Sequence, residues 1–235
     1  VTVLCLNAMA AHPPMQTPAG RVAALGISKV YRVDHAPRRV LDGISFSVAA
    51  GEKIGILGRN GAGKSSLIRL LAGIEQPTGG AIVRTLSLSW PIALSGAFNG
   101  SMTGNDCVRF LCRLNGMDFA AMRDFVDGFA ELGRFMRAPI KTYSSGMRAR
   151  LAFGLSLAVD FDCYLIDEVM SVGDRRFQAR CFDELFVKRG DRAMIIVTHD
   201  FDLLRQYCAS ALVLKAGRGR VFTDIRKAFD IYASL

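Results

Sequence analysis

The chain has 235 residues, 51% of them hydrophobic, and a formal net charge of +9. That length suits one domain, or one core carrying an inserted subdomain. No stretch approaches the ~20 uninterrupted apolar residues of a membrane-spanning helix, so the sequence is not expected to cross a bilayer by itself. The positive charge points to an anionic partner (nucleotide, anionic membrane surface or nucleic acid) or to a solvated basic face. Cysteines at 5, 107, 112, 163, 181 and 208 stand singly, without CxxC pairing. They read as reduced, mostly buried thiols of a cytosolic protein.

Residues 1–20 show no apolar period and several prolines, which predicts a flexible tail. Their apolar start lacks a basic leader and a cleavage pattern, so they do not read as a secretion signal. From Val22 to Val48, two β-branched, aromatic-bearing runs flank the turn-like DHAPRR and predict an antiparallel pair. KIGILG (53–58) reads as a buried strand, followed by a glycine loop and a helix from about Lys64. Residues near 100–158 read as helical, and CYLI (163–166) and AMIIV (193–197) as further core strands. Short strands near 210–223 and a helix from about 225 complete the chain. Strands alternating with helices imply a parallel sheet.

Gly58-Arg59-Asn60-Gly61-Ala62-Gly63-Lys64-Ser65 matches GxxxxGK[ST] between a predicted strand and a predicted helix. Its glycines let backbone N–H groups turn inward around phosphate oxygens, and the helix N-terminus favours negative charge. The expected nucleotide-binding set is Gly58, Asn60, Gly61, Ala62, Gly63, Lys64, Ser65 and Ser66. Lys64 is expected to reach the β- and γ-phosphates of ATP, and the Ser65 hydroxyl to ligate Mg²⁺. Asp167 ends the CYLI strand, which is expected beside the phosphate-loop strand, and is placed to hold the Mg²⁺ shell. Glu168, one residue on, is placed to orient or deprotonate the attacking water. His199 follows AMIIV at the end of a core strand, facing the crevice where γ-phosphate and water are expected.

Tyr143-Ser144-Ser145-Gly146-Met147 resembles the ABC signature, LSGGQ in its commonest form, which heads a helix of an inserted helical subdomain. Ser171-Val172-Gly173-Asp174 resembles the D-loop, and the order of all elements is similar to that of ABC transporter ATP-binding subunits over about residues 21–225. The resemblance implies an α/β fold: a P-loop NTPase core with a mainly parallel sheet, an N-terminal antiparallel β subdomain and an inserted helical subdomain. The ATPase domain would then span 21–235, with its helical part at about 95–158. It also implies that Tyr31 stacks on adenine, and that Ser144, Gly146 and Asp174 contact the nucleotide held by an opposite copy. The implied assembly is a homodimer closing head-to-tail over two ATP molecules. It would sit on a separate pair of transmembrane permease subunits, peripheral to the cytoplasmic face of the inner membrane.

The signature departs from its commonest form at Tyr143, Ser145 and Met147. Glutamine occurs only at 16, 76, 178 and 206, so the window 88–104 lacks the Q-loop glutamine of most ABC ATPases. Ser89-Trp90-Pro91, Met102-Thr103-Gly104 and Val172-Gly173-Asp174-Arg175-Arg176-Phe177-Gln178 instead resemble ATPases that export capsular polysaccharide. Trp90 reads as an interface residue or a core aromatic. The short stretch after His199 leaves no room for the carbohydrate-binding domain of some O-antigen exporters, so the sugar would be handled by the membrane subunit. Export of another lipid-linked glycan, such as O-antigen or teichoic acid, is the near alternative. A soluble ABC-type ATPase acting on nucleic acid and an importer ATPase are the more distant ones, and no nucleic-acid partner is expected.

Overall fold

Strands that are apolar along their whole length need cover on both faces, which is why they collect in parallel sheets under helices. The chain is described by a computed structural model over residues 20–34, 36–92, 98–167 and 173–235. Lys53–Gly58 (β3), Cys163–Asp167 (β6) and Ala193–Val197 (β7) all enter one six-stranded sheet there. Its order is β5-β6-β7-β3-β8-β9, with β5 at Leu88–Pro91, β8 at Ser210–Lys215 and β9 at Arg218–Phe222. The first five strands run parallel, and β9 pairs antiparallel to β8 at the edge.

One expectation of strand order is corrected. β7, not β6, lies beside β3, pairing Ile54 with Ile195 and Ile56 with Val197. β6 joins on the far side of β7, with Asp167 opposite Val197. Both runs are equally apolar, and strand order follows from the crossovers between them, which local pattern does not encode.

A second sheet, β2-β1-β4, is antiparallel throughout. It pairs Arg21–Val33 (β1) with Ala36–Ala49 (β2) and with Gly79–Arg84 (β4). The hairpin was legible in the sequence, but β4, β5 and the helices α5 and α6 (below) were not. β5 is only four residues long and ends in proline, as an edge strand tolerates. Its ladder to β6 is irregular between Leu88 and Pro91, and the buried Ser89 hydroxyl accepts the Leu165 N–H at 2.9 Å there. The helix Lys64–Leu71 (α1) buries Leu67, Ile68, Leu70 and Leu71 in a core shared by both sheets. Arg84 on β4 caps its C-terminus, donating to the Leu71 and Leu70 carbonyls at 2.8 and 2.6 Å.

The described residues divide into two compact units. One comprises 20–91, 161–167 and 190–235 and holds both sheets, α1, Phe201–Tyr207 (α6) and Ile225–Ala233 (α7). The other comprises 92–160 and 173–189. It holds Gly104–Asn115 (α2), Phe119–Ala130 (α3), Ser145–Ala158 (α4) and Arg175–Phe182 (α5). The tail expected at 1–20 lies outside the described residues except for Gly20. Among the described residues no helix is long and apolar enough to cross a membrane. Cys107, Cys112, Cys163, Cys181 and Cys208 are free and buried, and burial pushes the Cys107, Cys163, Cys181 and Cys208 thiols up to about 12.

In the helical unit, α2 begins at a capping box. The Thr103 hydroxyl accepts the Asp106 N–H at 3.1 Å, and the Asp106 carboxylate accepts the Thr103 N–H at 3.0 Å. The rings of Phe129, Phe153 and Phe177 tie α3, α4 and α5 together, with centroids 5.3–6.1 Å apart. Tyr143 is buried, its hydroxyl donating to the Phe135 carbonyl. A Cβ at Gly104 would come within 3.1 Å of that hydroxyl and 2.9 Å of the Met136 sulfur. Gly104 therefore makes room for Tyr143, which links the Met-Thr-Gly segment to the departure at the head of the signature. Gly104→Ala is expected to cost about 1–3 kcal/mol of stability by overpacking, read as a lowered urea midpoint. Adding Tyr143→Leu is expected to relieve part of that loss, and a fully additive double variant would break the link.

Candidate nucleotide site

Parallel strands deliver their carboxyl ends to one edge of a sheet, where α/β folds bind ligands. β3 ends there at Gly58 and runs into the phosphate loop, β6 ends at Asp167, and β7 ends just before Thr198-His199. The sheet thus brings three of the predicted features to one edge of one unit.

The loop is held tightly from behind. Gly63 caps α1 in the left-handed conformation, at φ 107°, and a Cβ there would lie 2.7 Å from Leu41. Any other residue would meet both backbone strain and a clash. Lys64 is half-buried, and its ammonium lies across the loop, donating to the Gly58 carbonyl at 2.5 Å and the Arg59 carbonyl at 3.4 Å. Ser65 is exposed on the first turn of α1, while Ser66 is buried. No acidic side chain stands in that turn, so the field of the helix N-terminus is left uncompensated for an anion.

Tyr31 stands on β1 opposite Arg38. Its hydroxyl donates to Glu75 Oε2 at 2.7 Å and lies 3.4 Å from the Ser66 hydroxyl. Glu75 also pairs with Lys29 at 3.0 Å and Arg69 at 3.2 Å, and the Lys29 ammonium sits 5.0 Å from the Tyr31 ring centroid. Burial opposes ionisation of Glu75, but hydrogen bonds from Tyr31 and Lys29 and the charges of Lys29 and Arg69 outweigh it. Its carboxyl is held below the usual glutamate range.

Asp167 is partly buried at the strand end, and His199 is exposed one residue before Asp200, the N-cap of α6. Glu168, Ser171 and Val172 lie outside the described residues, as does 93–97 in the window that lacks the Q-loop glutamine. Beside that window, the partly exposed Trp90 packs edge-on against Phe161, their centroids 5.3 Å apart.

In the helical unit, Ser144 is the N-cap of α4, its hydroxyl accepting the Met147 N–H at 3.2 Å. Gly146 follows in the first turn, partly exposed. Asp174 is engaged within its own chain as the N-cap of α5. It accepts the Phe177 N–H at 2.9 Å and an Arg150 N–H at 2.6 Å, which together hold its carboxyl below the usual range. Arg150 lies on α4 and also pairs with Glu131 at 3.3 Å, as do Arg180 at 2.9 Å and Arg176 at 3.8 Å. The signature helix and the exit of the D-loop segment are thereby joined through one guanidinium.

The ABC transporter family model matches residues 41–171. The chain belongs to the ABC transporter family. It is 56% identical over 209 residues to the capsule polysaccharide export ATP-binding protein CtrD of Neisseria meningitidis serogroup B (strain ATCC BAA-335 / MC58), covering 89% of this chain and 97% of that protein. To the ATP-binding protein BexA of Haemophilus influenzae it is 53% identical, covering 88% and 95%. The fold is similar to a dimeric structure of the ATP-binding cassette MJ0796 in a post-hydrolysis state with ADP and Pi. There the TM-score is 0.73 at 19% identity, over 86% of this chain and 97% of that one. This ABC chain therefore has the α/β ATPase fold, and its resemblance to capsular polysaccharide export ATPases is upheld.

Sequence reasoning missed Glu75, Arg150 and Glu131. Glu75 stands just past the phosphate-loop helix, but its tyrosine partner is 44 residues away. Arg150 follows the signature by a few residues, and only its position in sequence could have drawn notice. Lys64→Ala is expected to weaken ATP binding by about tenfold or more, because one charge-assisted contact to phosphate is lost. Equilibrium titration with nucleotide measures this, and unchanged affinity would remove the lysine from the phosphate site.

Proposed function

We propose that this ABC ATPase binds and hydrolyses ATP to power export of a lipid-linked polysaccharide, capsular in the leading reading, across the inner membrane. The observation that carries the cargo class is the 56% identity, over nearly the whole chain, to a protein that exports capsule polysaccharide. The carboxyl edge of the parallel sheet supports the chemistry.

In this reading residues 21–235 form the ATPase domain, with helical residues at about 95–158. Backbone N–H groups of the Gly58–Ser66 loop hold the phosphates, the Ala62 N–H excepted because it donates to the Arg59 carbonyl at 3.0 Å; Lys64 turns from the loop carbonyls to the β- and γ-phosphates, and Tyr31 carries the adenine. Ser65 and Asp167 are hard oxygen donors at one edge, a set that suits Mg²⁺, which takes one or two side chains and leaves the rest to phosphate and water. When bound, the ion supplies charge neutralisation at the transferring phosphoryl group. Glu168 holds and deprotonates the attacking water, and His199 steadies it beside the γ-phosphate.

Ser144, Gly146 and Asp174 complete the site of a second copy, so two chains close head-to-tail over two ATP molecules. The helix N-terminus that Ser144 caps supports that role, since it favours phosphate. Loss of the γ-phosphate removes the bridge and opens the pair. A separate transmembrane permease pair converts that opening into glycan movement, with the ATPase peripheral to its cytoplasmic face.

Glu168→Gln in the source cell is the test. Surface polysaccharide is expected to disappear and accumulate inside, while the purified variant binds ATP and hydrolyses it at least about a hundredfold more slowly. An unchanged surface coat, with the purified variant equally slow, would remove the polysaccharide assignment. Near-normal hydrolysis would remove Glu168 from its role.

A further inference from the structure

We propose that Glu75 is a positioning residue for the nucleotide base: with Lys29 it orients the Tyr31 ring as a platform and so favours adenine over a pyrimidine. The inference rests on the reading of Tyr31 as the adenine-stacking residue.

A tyrosine on a strand is ordinarily free to choose among rotamers, and stacking must then order it at an entropic cost. Tyr31 is tethered at its tip instead. Its hydroxyl donates to Glu75 Oε2 at 2.7 Å, and that carboxylate is itself fixed from several sides. Arg69, in the last turn of α1, holds Oε1 at 3.2 Å, and the Glu75 N–H reaches the Arg69 carbonyl at 3.3 Å. Lys29 holds Oε2 at 3.0 Å while donating to the Gln76 carbonyl at 2.8 Å.

The tether has a direction. Arg69 stands in the last turn of the helix that begins at the phosphate loop, Glu75 lies in the turn just past its end, and Ser66 of the same helix lies 3.4 Å from the Tyr31 hydroxyl. The ring is therefore registered against the element that holds the phosphates, which sets where a base must lie for a given phosphate position. Lys29 adds a second restriction. Its ammonium sits 5.0 Å from the ring centroid and engages one face by cation–π attraction, so a base would have to stack on the other.

Glu75 also balances two cations, so removing it has two opposed effects. The ring loses its anchor, and the freed Lys29 and Arg69 attract any triphosphate more strongly. The second effect is blind to the base, and the first is not. Base selectivity therefore separates positioning from a general structural or electrostatic role.

The experiment is equilibrium binding of ATP and CTP to the full chain and to Glu75→Ala, Glu75→Gln, Tyr31→Phe and Tyr31→Ala. Tyr31→Ala is expected to weaken ATP by about tenfold, from the worth of one base–aromatic stack, and CTP by less. Glu75→Ala is expected to lower the ATP-over-CTP preference by up to about threefold, less than Tyr31→Ala does, and to lower it no further in a chain that already carries Tyr31→Ala. Glu75→Gln, which keeps an acceptor oxygen, recovers part of the preference. Tyr31→Phe keeps the ring and Glu75 and loses only the hydroxyl, so it tests the tether even if Glu75→Ala folds poorly; it is expected to lower the preference too. An unchanged preference in Tyr31→Phe, or equal changes for ATP and CTP in Glu75→Ala, overturns the inference while leaving the stacking reading intact. Unchanged ATP binding by Tyr31→Ala overturns both.

Discussion

The parallel pairing of β6, β7 and β3 is the constraint on which the candidate nucleotide site depends. Three strands that run the same way must end on the same edge, where Gly58 ends β3, Asp167 ends β6 and His199 follows β7 by two residues. A register slip of one residue would turn each side chain to the opposite face. The strands resist it because they are buried almost throughout, from Ile54 to Gly58, Cys163 to Ile166 and Ala193 to Val197. The apolar packing that stabilises the sheet is thus also what aligns Gly58, Asp167 and His199.

Behind the phosphate loop the packing is close enough to dictate residue type. Gly63 has Leu41 against it, and a Cβ at Gly58 would meet the Leu214 carbonyl at 2.9 Å. The loop is shaped by the antiparallel sheet on one side and by β8 on the other, before any ligand arrives. Such preorganisation would lower the ordering cost of holding phosphate in the proposed site. The surroundings of Tyr31, where adenine stacking is proposed, are arranged by different means, through a charged cluster around Glu75 rather than through apolar packing.

In the helical unit, arginines serve as internal fasteners. Arg150, Arg176 and Arg180 converge on Glu131, and Arg150 reaches on to Asp174 while lying over the Phe177 ring at 5.0 Å. Isolated surface pairs contribute little, but a planar guanidinium bridging the carboxylates of two helix caps, Glu131 and Asp174, gives geometric definition that lysine would not. Part of the +9 charge is therefore committed to fixing the signature helix relative to α5. Tyr143 and Gly104 show the same local economy: a larger residue in the signature is matched by a missing side chain opposite it.

Much of this protein was legible in its sequence, for reasons of range. The phosphate loop, the signature, the acid at the end of CYLI and the apolar runs of β3, β6 and β7 are local patterns, and local backbone sterics and burial periodicity produce them. β4 escaped because it opens on two glycines and buries little of itself, β5 because it is only four residues long, and both owe their strand form to neighbours: β4 pairs with β1 and β5 with β6. Strand order, the anchoring of Tyr31 by a carboxylate 44 residues on, and the link from Gly104 to Tyr143 were decided only by the tertiary structure. Each depends on groups far apart in the chain meeting within a few ångströms, and nothing in the spacing of residues along the chain encodes such a meeting.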